Sequence, residues 1–173
     1  VAHAATPGNG PVGALVQDVN GDIAAGAFVL DPARIGAAPW YGEPAGYWGM
    51  AGRAALTQNV AAVTIDAMAV HRDLWTSLHG LDAEAFTARG YDVDFCLRAT
   101  DAGRRPVWYP GAVLRHVDAI RDRAQSAALD VDEIDAAAMR ARWGRRLAED
   151  PAYNPNLARA PHLFELALPD TPT

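Results

Sequence analysis

Residues 90–105, GYDVDFCLRATDAGRR, pass from a helical to an extended pattern within a few positions, and this switch constrains the fold more than any other stretch. Phe95, Ala99 and Ala102 recur at i, i+4 and i+7, the spacing of one helix face, and predict a helix from about Asp92 to Ala102. Gly103 is a natural C-terminal cap for it. RPVWYPGAVLRH then reads as a short extended piece, a Pro110–Gly111 turn, and a second strand-like run ending at His116. A helix that runs directly into strands calls for an α/β architecture, and irregular alternation along the rest of the chain predicts a mixed sheet.

Upstream, GALVQDVNGDIAAGAFVLD predicts two strands joined at Asn20–Gly21 through a type I′ turn. Residues 31–53, rich in Pro, Gly, Trp and Tyr, read as one long ordered loop. Asn59–Val70 is apolar and partly β-branched, the pattern of a buried strand, with Asp66 as its one charge. HRDLWTSLHG reads as a short helix stopped at Gly80. DVDEIDAAAMRARWGRRLAED predicts a longer helix with Met139, Trp143 and Leu147 on one face, ended by Asp150–Pro151. From Tyr153 a Pro-rich tail is expected to wrap the surface.

The 173 residues suit a single domain with a real core, 1–173. A net charge of −6 argues against a nucleic-acid partner, which needs a surplus of basic side chains. All fifteen basic residues are Arg, and Cys96, the one cysteine, excludes an intramolecular disulfide and is compatible with a reducing compartment. No apolar run reaches membrane-spanning length, so membrane contact is at most peripheral.

Three ionisable features stand out. Asp66 sits in an apolar run, where a lone carboxylate needs a partner or a cleft. Asp92 and Asp94 open a helix, a favourable position for acidic groups whatever their role, and Asp94 with Arg98 forms an i, i+4 ion pair. His116 ends a strand. The aromatic residues Trp40, Tyr41, Tyr47 and Trp48 could offer a stacking surface or pin their loop to the core, and the large apolar area of Trp and Tyr favours the second. Arg140, Arg142, Arg145 and Arg146 are dispersed enough to read as a solvated helix face. Cys96 reads as a small buried hydrophobe.

The order of these pieces resembles the C-terminal half of family-two glycosyltransferases of the GT-A fold. VNGDIAAGAFVL is similar to that family's hairpin, and Val70-His71-Arg72-Asp73-Leu74 to its helix entry. Gly80-Leu81-Asp82 matches the "GfD" turn, and Asp92 to Arg98 the acidic "ED-x-D-l-c-l-R" helix. Ala102-Gly103 through Tyr109-Pro110, then His116, complete the series, and RWGRRLAEDPAYNPNLA is similar to the "rW…DPyYnPnls" ending of O-antigen and cell-wall polysaccharide transferases. The resemblance spans roughly Gly13 to Leu157.

The resemblance implies the C-terminal part of a GT-A mixed sheet with flanking helices, and an enzyme that moves a sugar from a nucleotide-sugar donor to a glycan or glycolipid acceptor with inversion. Asp92 would be the general base, and Asp66 and Asp82 would face the acceptor sugar. Tyr91, standing where the family has Glu, would hydrogen-bond the acceptor, with Trp48 as a stacking surface. His116 would help hold a divalent metal, Mn²⁺ or Mg²⁺, in the complete enzyme. The location implied is cytoplasmic, reaching to the inner face of the membrane. The family's nucleotide-binding half and its metal-binding DxD are absent from these residues, and the chain opens at Val1, so it is expected to be the acceptor-side half, working with the missing half or a homo-oligomer partner. The alternative reading is a non-catalytic, degenerate transferase module that binds glycans or proteins.

Overall fold

The computed structural model describes residues 2–86, 90–117, 133–159 and 163–167. It is a mixed α/β structure with a mixed sheet and flanking helices. In chain order the elements are α1 (Ala2–Ala5), β1 (Asn9–Gln17), β2 (Ile23–Ala25), β3 (Ala27–Asp31) and β4 (Ile35–Ala37). β5 (Gln58–Asn59), β6 (Ala62–Val63), β7 (Met68–Ala69), α2 (Arg72–Ser77), α3 (Tyr91–Asp101), β8 (Arg105–Arg115) and α4 (Glu133–Ala148) follow.

β1 is the organising strand. Seven of its nine residues, all but the first and last, are buried, as in a strand covered on both faces. It pairs in parallel with β8, from Asn9 opposite Arg105 to Gln17 opposite Arg115, and antiparallel with β2 and β7. With β5 on the far side of β8, these make a five-stranded sheet. A second sheet of three strands has the order β4-β3-β6. Met139 and Leu147 of α4, Val93 and Leu97 of α3, and Leu30 and Ile35 of the small sheet share one apolar core. A second core joins Trp40, Trp108, Leu15 and Ile23. Among the described residues no helix is long and apolar enough to cross a membrane.

Several local expectations hold. α2 is followed by Gly80 with φ 68°, and α3 begins and ends within a residue of where its pattern places it. The N–H of Gly103 donates to Thr100 and that of Arg104 to Ala99, the paired bonds of a Schellman ending. Met139 and Leu147 are fully buried on one face of α4, with Trp143 half-buried between them.

The differences are all in the extended segments. The Asn20–Gly21 connection is not type I′, because only Gly21 has a positive φ (91°); the Asp18 carboxylate instead accepts from the N–H groups of Asn20 (2.8 Å) and Asp22 (3.0 Å). The second hairpin strand breaks at Gly26 into β2 and β3, which belong to different sheets. A Cβ on Gly26 would stand 2.4 Å from the Trp108 ring, so only glycine lets the chain cross there. The loop at 31–53 contains β4. The run 59–70 is no single strand: it divides into β5, β6, a 3-10 turn at Ile65–Ala67, and β7. The Pro110–Gly111 turn is instead a bulge inside a continuous β8, since Tyr109 faces Ala14 while Val113 faces the next residue, Leu15. Ala102 is exposed beyond the end of α3, so its helical face is carried by Phe95 and Ala99.

The described tail residues are mostly exposed or half-buried, as a tail wrapping the surface requires, and they are pinned at defined points. The Asp150 carboxylate accepts from the N–H of Leu30 (2.9 Å) and of Ala152 (2.7 Å), fixing the end of α4 to β3. Tyr153 is buried, and its hydroxyl donates to the carbonyl of Ala158 and accepts from the N–H of Phe164 (2.7 Å). Phe164 stacks on Trp40 with centroids 6.2 Å apart.

Candidate functional site

α3 carries its chemistry in its first turn because Gly90, at φ 86°, turns the chain into the helix and places Tyr91 to Asp94 there. Asp92 and Asp94 are both buried, at 4% and 0% exposure. Their surroundings differ completely.

Asp94 is saturated. One oxygen accepts from Arg98 Nε at 2.7 Å, and the other from Arg142 Nη1 at 3.0 Å and from Trp143 Nε1 at 2.9 Å. Arg98 continues outward, donating to the carbonyls of Leu78 (2.6 Å) and Gly80 (2.9 Å). Arg142 Nη1 also donates to Asp82 Oδ2 at 2.8 Å, and its guanidinium lies over the Phe86 ring at 5.0 Å. Asp94 thus ties together α3, α4 and the 78–86 turn, the role expected for a buried carboxylate that has found charged partners. The Arg98 pairing agrees with the i, i+4 spacing; the Arg142 and Trp143 contacts come from α4.

Asp92 is met by backbone groups. Oδ1 accepts from the N–H of Val93 at 2.9 Å, and Oδ2 receives a long 3.4 Å contact from the N–H of Ile65. Burial pushes its pKa up to about 6; the two N–H groups resist that rise, and the charge of Asp66 adds to it. At neutral pH this group is a carboxylate with appreciable proton affinity. That is the property a general base needs.

Asp66 is corrected in its setting. It lies on the exposed 3-10 turn at Ile65–Ala67, held by the Thr64 hydroxyl accepting its N–H at 3.3 Å, so no burial cost has to be offset there. The turn nonetheless brings Asp66 to the same neighbourhood as Asp92, which the adjacent Ile65 touches. Asp82 is half-buried; the Ala85 N–H at 3.0 Å and Arg142 hold its carboxyl below the usual carboxylate range. Tyr91 is half-buried against the core shared by α3 and α4.

Trp48 and His116 belong to other segments, the 31–53 loop and the end of β8. Trp48 is 69% exposed in the loop that closes on Trp40, while Trp40 itself is buried against Trp108 with centroids 5.4 Å apart. The aromatic cluster therefore splits: Trp40 pins the core, and Tyr47 and Trp48 face outward. His116 follows β8, its N–H donating to the carbonyl of Gln17 at 2.8 Å. Among the described residues no group of three or more His, Cys, Asp or Glu side chains could hold a metal ion. One imidazole does not fill the coordination sphere of Mn²⁺ or Mg²⁺, so the described residues do not by themselves make that site.

Arg142 is the residue that sequence reasoning missed. It is exposed, as a solvated helix face requires, yet it also bridges two carboxylates, and Arg146 pairs with Asp101 at 3.2 Å. Their partners lie 60, 48 and 45 residues away (142 − 82, 142 − 94, 146 − 101), beyond the reach of any helical spacing rule. Cys96 is fully buried, and burial pushes its thiol pKa far up, as befits a packing residue.

No protein-family model matches this chain, and no solved structure matches it. It is similar to "Uncharacterized protein y4gI" of Sinorhizobium fredii (strain NBRC 101917 / NGR234), with 34% identity over 176 residues. The similarity covers 98% of this chain and 19% of the relative, so the chain spans about a fifth of the length of the curated relative it matches.

Proposed function

We propose that this chain is the acceptor side of an inverting, nucleotide-sugar-dependent glycosyltransferase of the GT-A fold, with Asp92 as its general base. The observation that carries the reading is the contrast in the first turn of α3: Asp94 is paired with two guanidinium groups and hydrogen-bonded by an indole, while Asp92 is buried, met by backbone N–H groups, and has its pKa pushed up to about 6. In the step proposed, Asp92 takes the proton of an acceptor hydroxyl as that oxygen attacks the anomeric carbon of the donor. The bond from that carbon to the nucleotide diphosphate breaks, and the configuration inverts. The exposed Asp66 beside it, and Asp82 across the 78–86 turn, offer lone pairs to further sugar hydroxyls.

The reading assigns the donor site, and a divalent metal with His116 as this chain's contribution to it, to a larger protein. It fits that the curated relative is about five times as long as the stretch matched. The acceptor is read as a glycan or glycolipid, and the cytoplasmic location belongs to the same proposal.

The test uses the natural full-length protein, a panel of nucleotide sugars, and lipid and glycan extracts as acceptors. Asp92→Asn is expected to lower transfer by about 10²–10⁴-fold while nucleotide binding persists. The wild-type rate should rise with pH through about 6, as Asp92 becomes ionised. Transfer that survives Asp92→Asn removes Asp92 as the base.

A further inference from the structure

The 78–86 turn has little regular structure of its own. Three side-chain bonds from two helices hold it: Arg98 Nη1 to the Leu78 carbonyl, Arg98 Nη2 to the Gly80 carbonyl, and Arg142 Nη1 to Asp82. The Arg98 bonds fix the backbone at the start of the turn. Arg142 fixes a side chain. It reaches Asp82 from α4, is itself steadied by Asp94 at 3.0 Å, and rests on Phe86.

A carboxylate has about four lone-pair positions, and Asp82 has two occupied, one by the Ala85 N–H and one by Arg142. Counting the described residues, two acceptor positions are left over, on a group whose orientation is already fixed from two sides. Arg142 is 37% exposed by side chain and Asp82 31%, so both can be reached from solvent. The guanidinium has five N–H donors, of which Nη1 uses two here. A carboxylate whose orientation is fixed in this way, with lone pairs to spare, suits the reading of sugar hydroxyls, which donate to it.

We propose that Arg142 is a positioning residue for acceptor recognition: it orients the Asp82 carboxylate so that the remaining lone pairs of Asp82 bind hydroxyls of the acceptor sugar. This rests on the glycosyltransferase reading above. Arg142 acts through Asp82, so its loss raises the acceptor KM and leaves the Asp92 chemistry in place.

The experiment compares wild type, Arg142→Gln, Arg142→Lys, Asp82→Asn and the Arg142→Gln/Asp82→Asn double variant in the full-length protein, measuring acceptor KM, kcat and the pH profile of kcat. Arg142→Gln is expected to raise KM about tenfold, the loss of one charge-assisted hydrogen bond, with kcat and its pH midpoint unchanged. The double variant should be no worse than Asp82→Asn alone, since both lie on one path. Arg142→Lys keeps a cation against Asp94 and protects folding, but a compact ammonium lacks the planar fork, so its KM should lie between those of wild type and Arg142→Gln. If Arg142→Gln fails to fold, the Arg142→Lys KM decides. An unchanged KM in the variant that folds, a fall in kcat alone, or additive losses in the double variant would overturn the role of Arg142 while leaving the transferase reading intact. A wild-type protein that transfers no sugar removes the transferase reading, and this role with it.

Discussion

Asp92 and Asp94 are one residue apart, equally hidden from solvent, on the same turn of the same helix, yet they are opposites. Asp94 receives three charged or indole donors and acts as a joint between α3, α4 and the 78–86 turn. Asp92 receives backbone N–H groups, feels the charge of Asp66, and is left holding its proton more tightly than an ordinary aspartate. What separates the cross-linking carboxylate from the one with the raised pKa here is whether burial has been compensated by cations. Burial itself is common to both.

That contrast can be broken most forcefully at Asp94. Asp94→Ala leaves Arg98, Arg142 and Trp143 without their common acceptor, and should cost about 3 kcal/mol in urea unfolding, the low end for a broken buried pair because both arginines keep a path to water. A loss below about 1 kcal/mol would mean that Asp94 is not the joint described.

Asp92→Asn should do the reverse. The folded-state pKa of Asp92 is raised, so the native state binds the proton more tightly than the unfolded chain does. The stability this contributes is complete below about pH 4 and is lost as pH rises through about 6. At pH 7 the carboxylate is therefore a net burden. Its neutral isostere should stabilise the protein by about 1–2 kcal/mol at that pH, with no gain at pH 4. Equal stability of the two proteins at both values would refute the raised pKa. The smallest effect sharpens the comparison from outside. Asp66→Asn removes a like charge near Asp92 and should move the acid limb of the rate profile down by a few tenths of a pH unit. A shift in the opposite direction would contradict the proximity of the two groups.

The helices were legible in the sequence because their signals are local. The spacing of Met139 and Leu147, the Gly80 stop and the Gly103 cap each involve residues within one or two turns. The acidic first turn of α3 was legible too, including the Asp94–Arg98 pair. The sheets were not. Whether GDIAAGAFVLD is one strand or two depends on Trp108, more than eighty residues away, whose ring closes over Gly26. Whether Pro110–Gly111 turns or bulges depends on β1, which continues past it and holds both flanks in register. Asp66 was read as buried because its neighbours are apolar, but the 3-10 turn rotates it outward while Ala67 stays inside. Arg142 escaped for the same reason: on its own helix it is one of several arginines, and only tertiary structure supplies its two carboxylates.

The pairing of β1 with β8 also governs how the molecule comes together. Asn9 and Arg105 are 96 positions apart (105 − 9), and the parallel ladder they begin is the centre of the main sheet. Closing so long a loop is an entropic cost that precedes any reward from the contacts, and sheets built on distant pairings form slowly. During synthesis β1 leaves the ribosome long before β8, so its apolar residues wait with an open strand edge until the 96 positions from Asn9 to Arg105 (105 − 9) have followed. An early strand of this stretch is sealed late.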